Sequence, residues 1–241
     1  DNIVAWLLDR ALSDESIEST VSELCSRLVE GGVPLARVSV GRTVLHPVIG
    51  LMDMAWDRET GKVETTALTR DFVRGMKDLN APFGVISRGE TYRISADLTN
   101  PDDVARFPLF KDLAEQGITA YFAAGRTYGQ SQDLFDAYSK SFRGGSVSFA
   151  TKRFSGFSKT DQDGLERLVA PFCVCLRIAD DRFVANELMG PIWVALQANR
   201  SCRATSNVAT GSKSTAPSSI LICVGQWIYL KSWTPKPIST P

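Results

Sequence analysis

Acidic side chains stop before this chain does. From Gly190 to Pro241 there is no Asp or Glu, whereas residues 1–189 carry all 27 acidic groups and 22 of the basic ones. The last segment keeps five basic residues, Arg200, Arg203, Lys213, Lys231 and Lys236. A neutral total therefore divides into an acidic front and a basic tail. This break limits where a fold can lie: residues 1–188 are expected to form one domain and 189–241 an irregular tail. Ser201–Ser219 is polar and poor in apolar residues, as segments without a core are. The apolar burst that begins at Ile220 is expected to add a strand to an exposed edge or to aggregate.

The front has enough apolar residues for a core, and the whole chain is 44% hydrophobic and 22% charged, as ordinary globular domains are. No apolar run approaches the roughly 18 residues of a membrane span. Asp1-Asn2-Ile3 does not resemble the start of a signal peptide. Five unevenly spaced cysteines argue against a disulfide framework and fit a reducing cytoplasm. Nucleic acid is an unexpected partner for an acidic front and a tail without a dense Lys/Arg cluster.

Periodicity supplies the elements. Ile3, Leu7, Leu8 and Leu12 mark a first helix, and Ile17, Val21, Leu24, Cys25 and Leu28 a second, closed by Gly31-Gly32. Ala36, Val38 and Val40 alternate as in a half-buried strand. Further strands are expected at 48–56 and 62–69, joined by a turn at Asp57–Gly61, then at 90–96, 118–126 and 144–151. Helices are expected at 71–79 and 108–117, and 130–143 reads as a polar insertion. A long exit helix follows Ser158, which caps it with Asp161 in a weak capping box. Its stripe is Leu165, Leu168, Val169, Phe172, Leu176, Ala179 and Phe183, and Pro171 is placed to kink it. Strands joined by turns rather than crossover helices predict an antiparallel α+β fold.

Chemistry is sparse. His46 is the one histidine, so a histidine-cluster metal site is excluded, and its place in Leu45-His46-Pro47 reads as structural or pocket-lining rather than catalytic. Cys173 and Cys175 are expected inside the exit helix, buried rather than redox-active. Neither Gly61-Lys62 nor Gly211-Ser212-Lys213-Ser214 has the spacing of a phosphate-binding loop. No carboxylate pair stands out for acid–base work. Residues 1–189 thus hold no catalytic constellation, which points to a binding or regulatory module.

Gly145–Thr151, then Phe154, Gly156-Phe157-Ser158, Asp161 and Leu165–Pro171, resemble the last strand and exit helix of a GAF domain. With Leu24–Val29, Gly32–Arg37 and Thr43–Pro47 in that order, residues 3–188 are similar to the N-terminal sensory region of bacterial class III adenylate cyclases of the alphaproteobacterial type. The resemblance implies a GAF-like antiparallel sheet flanked by N-terminal and C-terminal helices. It implies an unidentified small-molecule effector, a homodimer through the terminal helices, and an exit helix leading to a catalytic domain that makes cyclic AMP from ATP. The complete family enzyme would use two Mg or Mn ions, but the metal-binding carboxylates belong beyond the linker and do not occur in this frame. Codons permitted for 189–211 and 219–241 can be chosen so that another frame reads like the family's linker and first catalytic strand. The tail is accordingly expected to be an out-of-frame remnant of that region. No catalytic or metal-binding residue and no cofactor is expected in this chain. Ligand-pocket candidates are His46, Trp56, Phe72, Tyr92 and Tyr121, each of which also reads as plain core. A stand-alone small-molecule-binding or interaction module is the alternative, and a divergent cyclase converting ATP to cyclic AMP the second.

Overall fold

A computed structural model describes residues 2–44, 46, 48–71, 80–128 and 144–206, with side chains as far as Glu187. The chain divides into two units, Asp1–Gly190 and Pro191–Pro241, and the features below belong to the first. Helices α1 (Asn2–Leu12) and α2 (Ile17–Glu30) come first, followed by strands β1 (Arg37–Thr43), β2 (Ile49–Asp57) and β3 (Val63–Thr69). Short helix α3 (Pro82–Ser87), β4 (Arg93–Asp97), α4 (Pro101–Val104) and α5 (Pro108–Glu115) lead to β5 (Ala120–Thr127) and β6 (Gly144–Thr151). The helix α6 (Lys159–Ser206) follows.

The six strands form one sheet in the order β3-β2-β1-β6-β5-β4, and every neighbouring pair is antiparallel. The α+β expectation, a sheet with flanking terminal helices, is met. Side chains alternate between the two faces of a strand, and the register aligns that alternation across the sheet. On one face run the rows Trp56–Val38–Phe149–Phe122 and Met54–Val40–Val147–Ala124. All eight are buried, and they share one core with Leu7 of α1, Val21, Leu24 and Leu28 of α2, and Leu165, Val169, Phe172 and Leu176 of α6. Burying a side chain of this size contributes about 1.5–3 kcal/mol, so these rows are the main source of stability.

Local chemistry sets the ends of the elements. The capping box is reciprocal: Asp161 N–H donates to Ser158 Oγ at 3.1 Å and Ser158 N–H to Asp161 Oδ2 at 2.9 Å. In the β2–β3 turn, Asp57 Oδ1 accepts from Glu59 N–H at 2.8 Å, and Gly61 takes φ +65°, a conformation glycine adopts at little cost. Pro82 lies in the first turn of α3, where proline's missing N–H costs nothing. Asn80-Ala81-Pro82, expected only as a break, thus also opens a helix. The helix expected at 71–79 lies outside the described residues save Asp71, and the insertion at 130–143 lies wholly outside them. α6 continues through Pro171. Cys173 and Cys175 point from it to different neighbours: Cys173 Sγ–H to Gly145 O on the sheet at 3.6 Å, Cys175 Sγ–H to Leu7 O on α1 at 2.9 Å. Burial pushes both thiols up to about 11, which keeps them protonated and unreactive at neutral pH.

On the opposite face the described apolar packing is concentrated at one end. A second core packs Phe107, Phe110 and Leu113 against Ile94, Ala96, Tyr121, Ala123 and Ala150. Its buried strand residues come from β4, β5 and β6, and none from β1, β2 or β3.

Two glycines give opposite predictions. A Cβ on Gly145 would stand 2.7 Å from Tyr128 Oη and 2.8 Å from Leu176 Cδ1, whereas one on Gly164, inside α6, meets nothing within 4 Å. Gly145→Ala is expected to cost about 1–3 kcal/mol through overpacking. Gly164→Ala is expected to gain about 0.5–1 kcal/mol from helix propensity. Chemical denaturation of the two variants beside the parent checks the sign of each.

Candidate functional site

The same face of the sheet carries small and polar residues across β2, β1 and β6, beside the second core. Its rows run Asp53–Gly41–Ser146–Gly125, Ala55–Ser39–Ser148–Ala123 and Asp57–Arg37–Ala150–Tyr121. Ser146 and Ser148 are buried although polar. The Tyr121 hydroxyl bonds Ser148, and burial raises its pKa. No hydrogen bond from the described residues reaches the Ser146 hydroxyl or the Asp53 carboxylate. A half-buried carboxylate without a donor is costly. Burial accordingly pushes the Asp53 carboxyl up to about 6, and the positive charge of Arg37 only partly offsets this. Titratable groups perturbed in this way cluster at functional sites. From β1 and α3 the face gains a wall: the Phe83 ring lies on Gly41, where a Cβ would come within 2.9 Å of its Cδ2.

A cleft of about 480 Å³ lies on the other face, where Ser16, Ile17 and Thr20 at the start of α2 approach Ile178 and Arg182 of α6. Its arginines are already engaged. Arg10 pairs with Glu15 and Glu23, and Arg182 with the Ser13 carbonyl. Arg42 of β1 pairs with Asp180 of α6, with side chains 3% and 8% exposed. A neighbouring cleft of about 200 Å³ is lined by Asp180, Tyr128 and Arg177. Arg42 Nε, Asp180 Oδ2 and the Tyr128 hydroxyl have no protein partner. Burial holds Asp180 up at about 6 against the pull of Arg42. These self-paired charges tie α6 to the sheet, and we read this region as a seam between elements. The polar sheet face over β2, β1 and β6 is the candidate ligand site.

The five residues singled out from sequence are dispersed. Tyr121 is buried in the second core, on the face away from the terminal helices, 5.0 Å ring to ring from Phe110. Trp56 is on the face beneath the helices, 4% exposed, with no partner for its indole Nε1. His46 sits in the β1–β2 connection, where its Nδ1 accepts from the N–H groups of Val48 and Ile49 at 3.2 and 3.1 Å. Its ring stands 5.9 Å from that of Phe183. Tyr92 precedes β4, is 56% exposed and lies under the Arg126 guanidinium. Phe72 lies outside the described residues. Sequence reasoning passed over Asp53, Ser39 and Ser146. The signal was there in Met52-Asp53-Met54, an acid between two large apolar residues in a predicted strand. Among the described residues no three His, Cys, Asp or Glu side chains converge where a metal ion would be held.

No family model and no curated protein matches the chain. Among solved structures it is similar to SdiA of Escherichia coli, with 15% identity and a TM-score of 0.42 over 73% of this chain and 66% of that one. It is also similar to the phycocyanobilin-bound GAF domain of a cyanobacterial phytochrome, with 12% identity and a TM-score of 0.46 over 76% of this chain and 94% of that one. A red/green cyanobacteriochrome in its red-light-absorbing state gives 12% identity and a TM-score of 0.41, covering 70% and 97%. No helix among the described residues is long and apolar enough to cross a membrane.

The two buried carboxylates make separate predictions. Asp53 titrates near 6 in the folded chain against an unfolded value of 3.8. Between those values the folded state binds more protons, so this group's contribution to stability falls as pH rises from about 4 to 6. Asp53→Asn is expected to remove that fall and to stabilise the chain by about 1–2 kcal/mol at pH 7.5, after allowance for its partial exposure. Denaturant midpoints of both proteins at pH 4.5 and 7.5 test it. Asp180→Ala strands the Arg42 charge and is expected to cost about 3–5 kcal/mol, while Arg42→Met with Asp180→Leu loses far less. Urea unfolding of the single and double variants separates the two outcomes.

Proposed function

We propose that the chain is a GAF-like regulatory domain of an adenylate cyclase-type protein in cyclic AMP signalling, one that senses a small molecule and lacks catalytic residues of its own. The observation that carries the sensing role is the polar face: among the described residues neither the Asp53 carboxylate nor the buried Ser146 hydroxyl has a hydrogen-bond partner. A face built only for stability would carry apolar side chains there, since unpaired polar groups in a core cost free energy. Support for the cyclase connection comes from the sequence segments that resemble that family's sensory region and from the position of α6 as an exit helix. On this reading two chains pair through their terminal helices, and a ligand shifts the population of α6 geometries. Residues 189–241 are then an out-of-frame remnant of the linker and the first part of the catalytic domain. The gene's nucleotides around codon 189 test that part directly: an alternative frame must encode a cyclase-like segment.

Purified chain with ATP and Mn²⁺ is expected to form no cyclic AMP above a protein-free blank, and robust turnover would refute the absence of catalysis. Sedimentation equilibrium is expected to give twice the 26.4 kDa chain mass. A monomer that binds no small molecule would favour the stand-alone interaction module.

A further inference from the structure

The seam beneath the terminal helices is not fully closed. Met52, Arg42 and Gly145 form the next row of the helix-covered sheet face after Met54, Val40 and Val147. Met52 is apolar and shares a face with Met54, yet it packs into neither core. It lines instead the cleft of about 480 Å³ that Ile17 and Thr20 of α2 share with Ile178, Ala179 and Phe183 of α6. Phe183 also belongs to neither core, and its one ring contact is the His46 ring at 5.9 Å. A cleft of this volume is within the roughly 300–1,000 Å³ of small-molecule sites.

Arg42 borders the same cleft and is 3% exposed. Its Nη1 donates to Asp180 Oδ1, its Nε is buried without a partner, and its Nη2 bonds no described residue. A buried donor without an acceptor is costly. The other arginines of the lining are satisfied: Arg10 holds Glu15 and Glu23, and Arg182 the Ser13 carbonyl. An anion on Arg42 would meet Asp180 on the same guanidinium, with Asp14, Glu15 and Glu18 around the lining. A cation would leave the Arg42 donors as they are. Water would satisfy Arg42 but leave Met52 and Phe183 wet. An uncharged molecule with one acceptor and an apolar body answers both needs, and that pairing of apolar walls with a placed polar group is what small-molecule sites share.

We propose that this cleft binds a small uncharged molecule, its ketone or amide oxygen on Arg42 and its apolar body on Met52, Phe183 and Ile178. The site is distinct from the polar sheet face and does not depend on that face holding an effector. Because α2 and α6 both line it, an occupant joins the first and last parts of the domain directly. Four probes with one ring separate acceptor, charge and shape: acetophenone, ethylbenzene, benzoate and benzylamine. In ¹H–¹⁵N spectra of the full chain, acetophenone is expected to shift the amides of Thr20, Arg42, Met52 and Ile178 at millimolar concentration. Each of the other three is expected to bind about tenfold more weakly, the loss of one hydrogen bond or its equivalent. Ala179→Leu fills the cleft and is expected to abolish these shifts with the rest of the spectrum unchanged. Arg42→Met with Asp180→Leu is expected to bring acetophenone down to the affinity of ethylbenzene. Equal binding of ethylbenzene or of either charged probe to the unmodified chain would overturn the assignment of an uncharged acceptor, whether or not the double variant folds. No shift at these amides with any probe would overturn the site. Shifts confined to the amides of Asp53 and Ser146 would overturn it too, while supporting the polar face, so the two readings fail separately.

Discussion

Everything in the described domain depends on one dry sheet face. Two rows of four side chains, from Trp56 to Phe122 and from Met54 to Ala124, are apolar across β2, β1, β6 and β5. That continuity requires all four strands to be in register, because a slip of one residue would turn Asp53 inward and Met54 outward. It also explains why α1, α2 and α6 share one side although α6 follows them by more than a hundred residues. Only that side offers them a continuous apolar surface. β6 marks the extreme case, with all eight residues buried between the helices and the second core. Its glycines and serines are what space on both sides allows.

The Arg42–Asp180 pair is a strong departure from that dryness, a charge pair where the rows would predict another apolar contact. A buried pair of this kind is weak evidence for stability, since desolvation offsets most of its attraction. Its value lies in specificity. It fixes which residue of α6 meets which residue of β1, and with Cys175 on the Leu7 carbonyl and Arg93 on Glu166 at 2.5 Å it sets the position of α6 along the sheet. Apolar contacts alone resist sliding poorly, because one turn of a leucine-rich stripe resembles the next.

Much of this was legible. The strand at 144–151, the first two helices, the Asp57–Gly61 turn and the Ser158–Asp161 box follow from short-range chemistry, and short-range chemistry is what a single sequence displays. The site was less legible because it is a property of register. Ser39, Asp53 and Ser146 lie far apart along the chain, and nothing local marks them as neighbours. Parity along β2 still held a clue. Met54 and Trp56 share a face, so Trp56 has to lie opposite Asp53 if Met54 faces the core. A large aromatic was a poor guide to the ligand face here, because its area suits the core, whereas a stranded acid was the better one. Helix α3 escaped for a different reason: proline was read as a stop, when at the first turn it is also a start.

A sheet with one face sealed and the other left polar is also a workable sensor in energetic terms. The sealed face supplies stability, so the polar face is free to hold groups that weaken the fold, such as a carboxylate raised to about 6 by burial. A ligand that satisfies such a group binds the folded chain and not the unfolded one, and so stabilises it by mass action. On the proposed reading, the strain at Asp53 would supply affinity for a ligand, and a substitution that relieves the strain would remove that affinity. Stability and binding are expected to move in opposite directions at this position, as they do wherever a fold retains an unsatisfied group for use.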